Sequence, residues 1–80
     1  MKKVITYGTF DMLHYGHTRL LERAKALGDY LIVGVTDDSE VPLDDRKLVL
    51  SGIKYVDRVV TAEPDPTKAQ EKFGFNRLFS

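Results

Sequence analysis

Apolar residues along this chain fall into short runs separated by longer stretches of helical spacing. Residues 3–7, around Val4 and Ile5, read as a short strand. Leu20, Leu21, Ala24 and Leu27 then recur at helical spacing, with Arg19, Glu22, Arg23 and Lys25 on the wet side. A helix is therefore expected from Gly16 or His17 to Leu27, closed by Gly28 as a left-handed cap. Residues 30–35 form a near-continuous apolar run, as in a strand covered on both faces. A polar loop, 36–41, leads to Pro42 in the first turn of a second helix. Asp44 and Asp45 favour its positive end, and the helix is expected to reach about Lys54, burying Leu48, Val49 and Ile53. Residues 57–61 give a third strand. Thr67 is expected to cap a short helix ending near Lys72 or Phe73, Gly74 to terminate it, and Arg77, Leu78 and Phe79 to begin a fourth strand. Strands alternating with helices predict an α/β domain on a parallel sheet.

Composition bounds this picture without changing it. Eighty residues make one domain, and a chain of that size buries only about 60–65% of its unfolded surface. Twelve basic and twelve acidic residues cancel, which argues against a nucleic-acid or anionic-membrane surface, though not against a local phosphate pocket. There is no cysteine, so neither a disulfide nor a thiolate metal site is available. Met1-Lys2-Lys3 is followed by too short an apolar run for a signal peptide, and no run approaches a membrane span. A soluble, cytoplasmic domain is the expectation.

Candidate chemistry concentrates between the first strand and the first helix, in Thr6-Tyr7-Gly8-Thr9-Phe10-Asp11 and His14-Tyr15-Gly16-His17. A helix amino terminus carries free N–H groups and a positive dipole end, which suit an anion. Gly8 lets backbone approach a ligand. Two histidines at i and i+3 around a glycine add two donors there, suited to charge that accumulates in a phosphoryl transition state. Thr9 and Phe10 offer backbone amides and a hydroxyl. Asp11 either caps a turn, orients a donor or holds an acceptor substrate. A zinc site is disfavoured because no third ligand is evident, whereas Mg²⁺ carried by a nucleotide prefers phosphate and water oxygens.

With those residues in place, the chain resembles the cytidylyltransferase-like nucleotidyltransferases. Gly8-Thr9-Phe10-Asp11 with His14-Tyr15-Gly16-His17 matches their opening signature, and the likeness continues through residues 20–31, Arg46-Lys47-Leu48 and Tyr55-Val56-Asp57. The resemblance implies a Rossmann-like sheet of order 3-2-1-4 and a site where strand order reverses. It further implies cytidylyl transfer from CTP, or another nucleoside triphosphate, to glycerol 3-phosphate or a similar phospho-alcohol, with Mg²⁺. Under it His14 and His17 are catalytic, Gly8, Thr9, Phe10, Gly16 and Arg46 hold the nucleotide, and Asp11 meets the acceptor. Asp38 aligns with a family aspartate but reads better as a plain loop acid; Lys2, Lys3 and Lys25 read as surface.

The chain also departs from the family. Residues 36–45 are shorter than the counterpart, and Asp37, Asp38, Glu40, Asp44 and Asp45 stand where lysines are expected. The family's later segments, which complete the nucleotide site, have no counterpart before Ser80. A truncated or engineered α/β scaffold with a weak phosphate site and no turnover is thus the alternative reading. An apolar edge at Leu78 and Phe79 predicts a homodimer, in a plain or domain-swapped form.

Overall fold

The computed structural model describes residues 1–10, 15–37 and 40–79. Four strands, β1 (Lys3–Gly8), β2 (Tyr30–Val35), β3 (Arg58–Thr61) and β4 (Arg77–Phe79), alternate with three helices, α1 (Tyr15–Ala26), α2 (Leu43–Ser51) and α3 (Pro66–Phe73). All described pairings are parallel, in the order β3-β2-β1-β4, which is the order the resemblance implies. Among the described residues, no helix is long and apolar enough to cross a membrane.

Alternation along the strands gives the sheet two apolar faces. Val4, Leu31, Val33 and Val35 pack with Leu21 and Ala24 of α1 and Leu50 of α2. Ile5, Ile32 and Val60 pack with Ala69 and Phe73 of α3. Burying both faces is why β2 reads as a continuous apolar run.

Helix α2 departs from its expected form in both extent and face. It ends at Ser51, Pro42 precedes it as the N-cap, and Gly52 follows it in a right-handed conformation. Leu48 is 73% exposed and Val49 is exposed too, while Arg46 and Leu50 are the buried positions. Leu43, Arg46 and Leu50 therefore form the inward stripe, and a cation sits where apolar spacing alone would look for a hydrophobe. Helix α3 is capped by Asp65, not Thr67: its carboxylate accepts from the Thr67 and Lys68 amides, with Pro66 in the first turn. Gly74 is the expected left-handed cap, with φ of 63° and its N–H donating to Gln70. Gly28 does not adopt that conformation. Its requirement is space, since a Cβ there would lie 2.7 Å from the Lys2 carbonyl oxygen and 2.8 Å from Val4 Cγ2.

One device recurs where strands enter the sheet. Asp29, Asp57 and Asn76 each immediately precede a strand, and each makes reciprocal hydrogen bonds with the neighbouring chain segment. The Asp29 N–H donates to Lys2 O at 2.8 Å, and its carboxylate accepts from the Lys2 amide at 2.9 Å. Asp57 does the same with Leu31, at 3.0 and 2.8 Å. Asn76 does so with Lys3, at 2.8 Å both ways. Asp57 also pairs with Lys25 of α1, and Tyr55 donates to Glu22 of the same helix at 2.8 Å. Lys25 is thus a half-buried clasp, not a free surface charge. Burial pushes the Asp57 carboxyl up, but its hydrogen bonds from Lys25 and Leu31 outweigh this and hold it below the usual carboxylate range.

Candidate functional site

The segments leaving β1 and β2 rise side by side from the carboxyl end of the sheet. The ladder runs one step past the strands, with Thr36 N–H donating to Gly8 O at 2.9 Å. Beyond it, the hydroxyls of Thr9 and Thr36 lie 3.3 Å apart. Parallel sheets carry ligands at this end, in the crevice where strand order reverses. Here β1 lies between β2 and β4, so the residues after β1 stand at that point.

Gly8 and Phe10 are shaped to one another. Phe10 has a φ of 49°, left-handed backbone that costs a non-glycine residue about 1–2 kcal/mol. The strain is held in place because the ring folds back into the core over Gly8. A Cβ on Gly8 would fall 2.6 Å from Phe10 Cε2. On its other side the Phe10 ring meets the His17 imidazole edge-on, with centroids 5.7 Å apart at 60°. His17 is half-buried in the first turns of α1, so its ring orientation is tied to the β1 loop. Gly16 is exposed beside it and lines a groove of about 470 Å³ with Arg19, Leu20, Arg23 and Phe79. Asp11, His14 and Asp38 lie outside the described residues.

Arg46 reaches this end of the sheet from α2. It is 2% exposed. Its Nη1 donates to Thr9 O at 2.8 Å and to Thr36 O at 2.5 Å, and its Nε to Val41 O at 3.1 Å. Asp37, 3.8 Å from Nη2, is the carboxylate beside it, and that acid is largely exposed. The structure therefore joins Thr9 and Arg46 through a direct hydrogen bond, and Gly8, Phe10 and His17 through ring packing. The plain solvated face that an Asp-Arg-Lys run usually makes is not what Arg46 forms. The signal for its burial was its spacing from Leu43 and Leu50, at i+3 and i+7 from the first of them. Glu40, Asp44 and Asp45 are exposed to solvent, and Asp37, though largely exposed, is the acid that stays beside Arg46.

On the opposite face, Tyr7, Thr36, Asp37, Ala62, Glu63 and Pro64 line an open pocket of about 380 Å³. The Tyr7 ring lies over Gly34, where a Cβ would come within 2.5 Å of its Cδ1. Burial, and then the negative charge of Glu63, push the Tyr7 phenol up. Thr36 and Asp37 belong to both this pocket and the Arg46 cluster.

A parallel sheet of this order, with its candidate residues on the loop after β1, defines a Rossmann-like α/β domain. The chain belongs to the cytidylyltransferase-like family, whose model matches residues 5–76. It is similar to glycerol-3-phosphate cytidylyltransferase of Bacillus subtilis (strain 168), with 47% identity over 95% of this chain and 66% of that protein. The Bacillus spizizenii protein of the same name is 54% identical over 75% of this chain and 54% of its own length. Among solved structures, a lipopolysaccharide core biosynthesis protein from Thermoplasma volcanium GSS1 superposes with a TM-score of 0.85. It is 32% identical, and the match covers 98% of this chain and 72% of that one. The chain thus spans between about half and two thirds of the two Bacillus proteins it matches.

Proposed function

We propose that this domain binds a nucleoside triphosphate at the loop after β1 and serves nucleotidyl transfer. CTP is the donor, and glycerol 3-phosphate or a similar phospho-alcohol the acceptor. The observation that supports this most is the coupling of the Gly8-Thr9-Phe10 loop to His17 through a strained, buried Phe10. It holds backbone amides and an imidazole in one arrangement at a helix amino terminus. In the reaction an acceptor phosphate oxygen attacks the α-phosphorus of CTP. A new P–O bond forms as the bond to the β-phosphate breaks, and pyrophosphate leaves with the electron pair. No covalent protein nucleophile is needed, because positioning and charge stabilisation carry such a transfer.

Within this reading His17, with His14, donates to phosphate oxygens as charge builds. Gly8, Thr9, Phe10 and Gly16 cradle the triphosphate, and Asp11 meets the acceptor. Among the described residues no group of three or more His, Asp or Glu side chains could hold a metal. Mg²⁺, which prefers phosphate and water oxygens, would be held by the nucleotide's own phosphates and would neutralise charge there. The second reading, a scaffold that binds phosphate without turnover, is favoured by the loop after β2. Its described charged residues before Arg46 are all acidic.

A ¹H–¹⁵N titration with Mg·CTP, with Mg·ATP alongside, tests both. Saturable shifts at Gly8–Phe10, Gly16 and His17, followed by pyrophosphate release that a His14→Ala/His17→Ala double variant abolishes, are the expected result. Saturable binding without turnover selects the scaffold. No shifts up to millimolar nucleotide would remove the site altogether.

A further inference from the structure

Arg46 is an awkward cation. It sits in the first turn of α2, at the positive end of the helix dipole, where a positive charge is disfavoured. It is buried, yet its direct partners are three backbone carbonyls and not a buried carboxylate. Its Nη2 is fully buried and, among the described residues, has no hydrogen-bond partner. Burying a charge this way is costly unless the arrangement serves something else.

What the guanidinium does follows from peptide geometry. In a trans peptide the C=O and the N–H of the same unit point in opposite directions. Arg46 draws the Thr9 carbonyl toward itself, so the Phe10 N–H points away from it. It draws the Thr36 carbonyl as well, so the Asp37 N–H also points away. Among the described residues, neither N–H makes a backbone hydrogen bond. The two hydrogens of Nη1 thus set two peptide planes on adjacent loops, while Nε, anchored on Val41 O, fixes the plane in which they point; a lysine has no second anchored donor to fix that direction.

We infer that Arg46 is a positioning residue: it orients the peptides joining Thr9 to Phe10 and Thr36 to Asp37 so that their amides present to a phosphate, and it does not contact the nucleotide itself. This rests on the nucleotide reading above and assigns Arg46 a different part in it from direct nucleotide contact. Unlike the amide of Phe10, the Asp37 amide was not among the residues expected from sequence, because only the fold brings it beside Arg46.

The test compares Arg46→Lys, which keeps the charge, with Arg46→Gln, which removes it. In free protein, both are expected to move the ¹³C′ resonances of Thr9 and Thr36 and the ¹⁵N resonances of Phe10 and Asp37. Both should also weaken Mg·CTP binding by roughly tenfold or more, measured well below each variant's melting temperature. An arginine in direct contact would give the opposite: near-full binding in the lysine variant and unmoved resonances in free protein. If neither variant folds, through-hydrogen-bond coupling from Arg46 Nη1 to the Thr9 and Thr36 carbonyls in the wild-type protein supports the inference. Absence of that coupling, or a ³¹P coupling to Arg46 in the nucleotide complex, overturns it. Failure of the wild-type protein to bind Mg·CTP would sink the nucleotide reading. The free-protein resonances would still decide whether Arg46 sets the two peptides.

Discussion

At the amino end of the sheet, each strand after β1 enters beside an Asx residue that exchanges two hydrogen bonds with its neighbour. At the carboxyl end, one buried arginine holds two loops by their carbonyls, and a phenylalanine stays left-handed under its own packing. The first arrangement pairs donors with acceptors locally and adds Lys25 and Glu22 as ties to α1. The second leaves donor capacity on Arg46 and amides on Phe10 and Asp37 that the described chain does not use. Polar groups satisfied at one end and held ready at the other separate the part that secures the fold from the part offered to a ligand.

That contrast can be broken most forcefully at Asp57. Asp57→Ala strips the buried Leu31 amide of its acceptor and Lys25 of its partner. It is expected to lower stability by about 2 kcal/mol in urea unfolding, with Mg·CTP binding by the folded protein unchanged. A matching loss of nucleotide affinity would mean the two ends are not separable. A smaller stability effect is expected from Gly8→Ala, about 1 kcal/mol, because the new Cβ displaces the Phe10 ring and not backbone. Here the site should suffer: the His17 ring resonances should move and nucleotide binding weaken. Unchanged His17 shifts would uncouple Phe10 from the candidate chemistry.

The mildest expected effect is on acid stability. The Asp57 pKa is lowered in the folded protein, so its contribution is present above the unfolded carboxylate value of about 3.9 and disappears as pH falls through the folded value. Melting temperatures of the wild type and Asp57→Asn should therefore differ above the unfolded carboxylate value of about 3.9 and converge as pH falls through the lower, folded one. A gap that stays constant across that range would show that the ionised carboxylate contributes nothing.

Element order and a parallel sheet were legible in the sequence, because apolar runs and helical spacing report burial directly, whereas the strand order and the site at its reversal came from the family resemblance. The face of α2 was not. Leu48 and Val49 are apolar and exposed, while Arg46 is charged and buried; the Leu43 and Leu50 spacing marks the inward stripe, but hydropathy favours Leu48 and Val49 over a cation whose partners are backbone carbonyls. Capping by Asp65 in place of Thr67 turned on a choice between two adequate caps two positions apart. Gly28 was correctly marked as special for the wrong reason, since the close approach of Lys2 and Val4 depends on packing that the local sequence does not contain. The Asx residues before β2, β3 and β4 were visible as residues, but their shared job appears only once the strands are side by side.

Those three residues have a consequence for how such a domain tolerates change. A parallel strand that slips by one position turns its inward side chains outward, so its alignment must be fixed somewhere. In this protein it is fixed where the chain comes back into the sheet, at Asp29, Asp57 and Asn76. At the other end the described ladder continues by a single backbone bond, Thr36 N–H to Gly8 O between β1 and β2 and Ala62 N–H to Val35 O between β2 and β3, without an Asx clasp. Register and ligand-facing geometry are thus secured by different residues, the first at the strand entries and the second by Arg46 at Thr9, Thr36 and Val41.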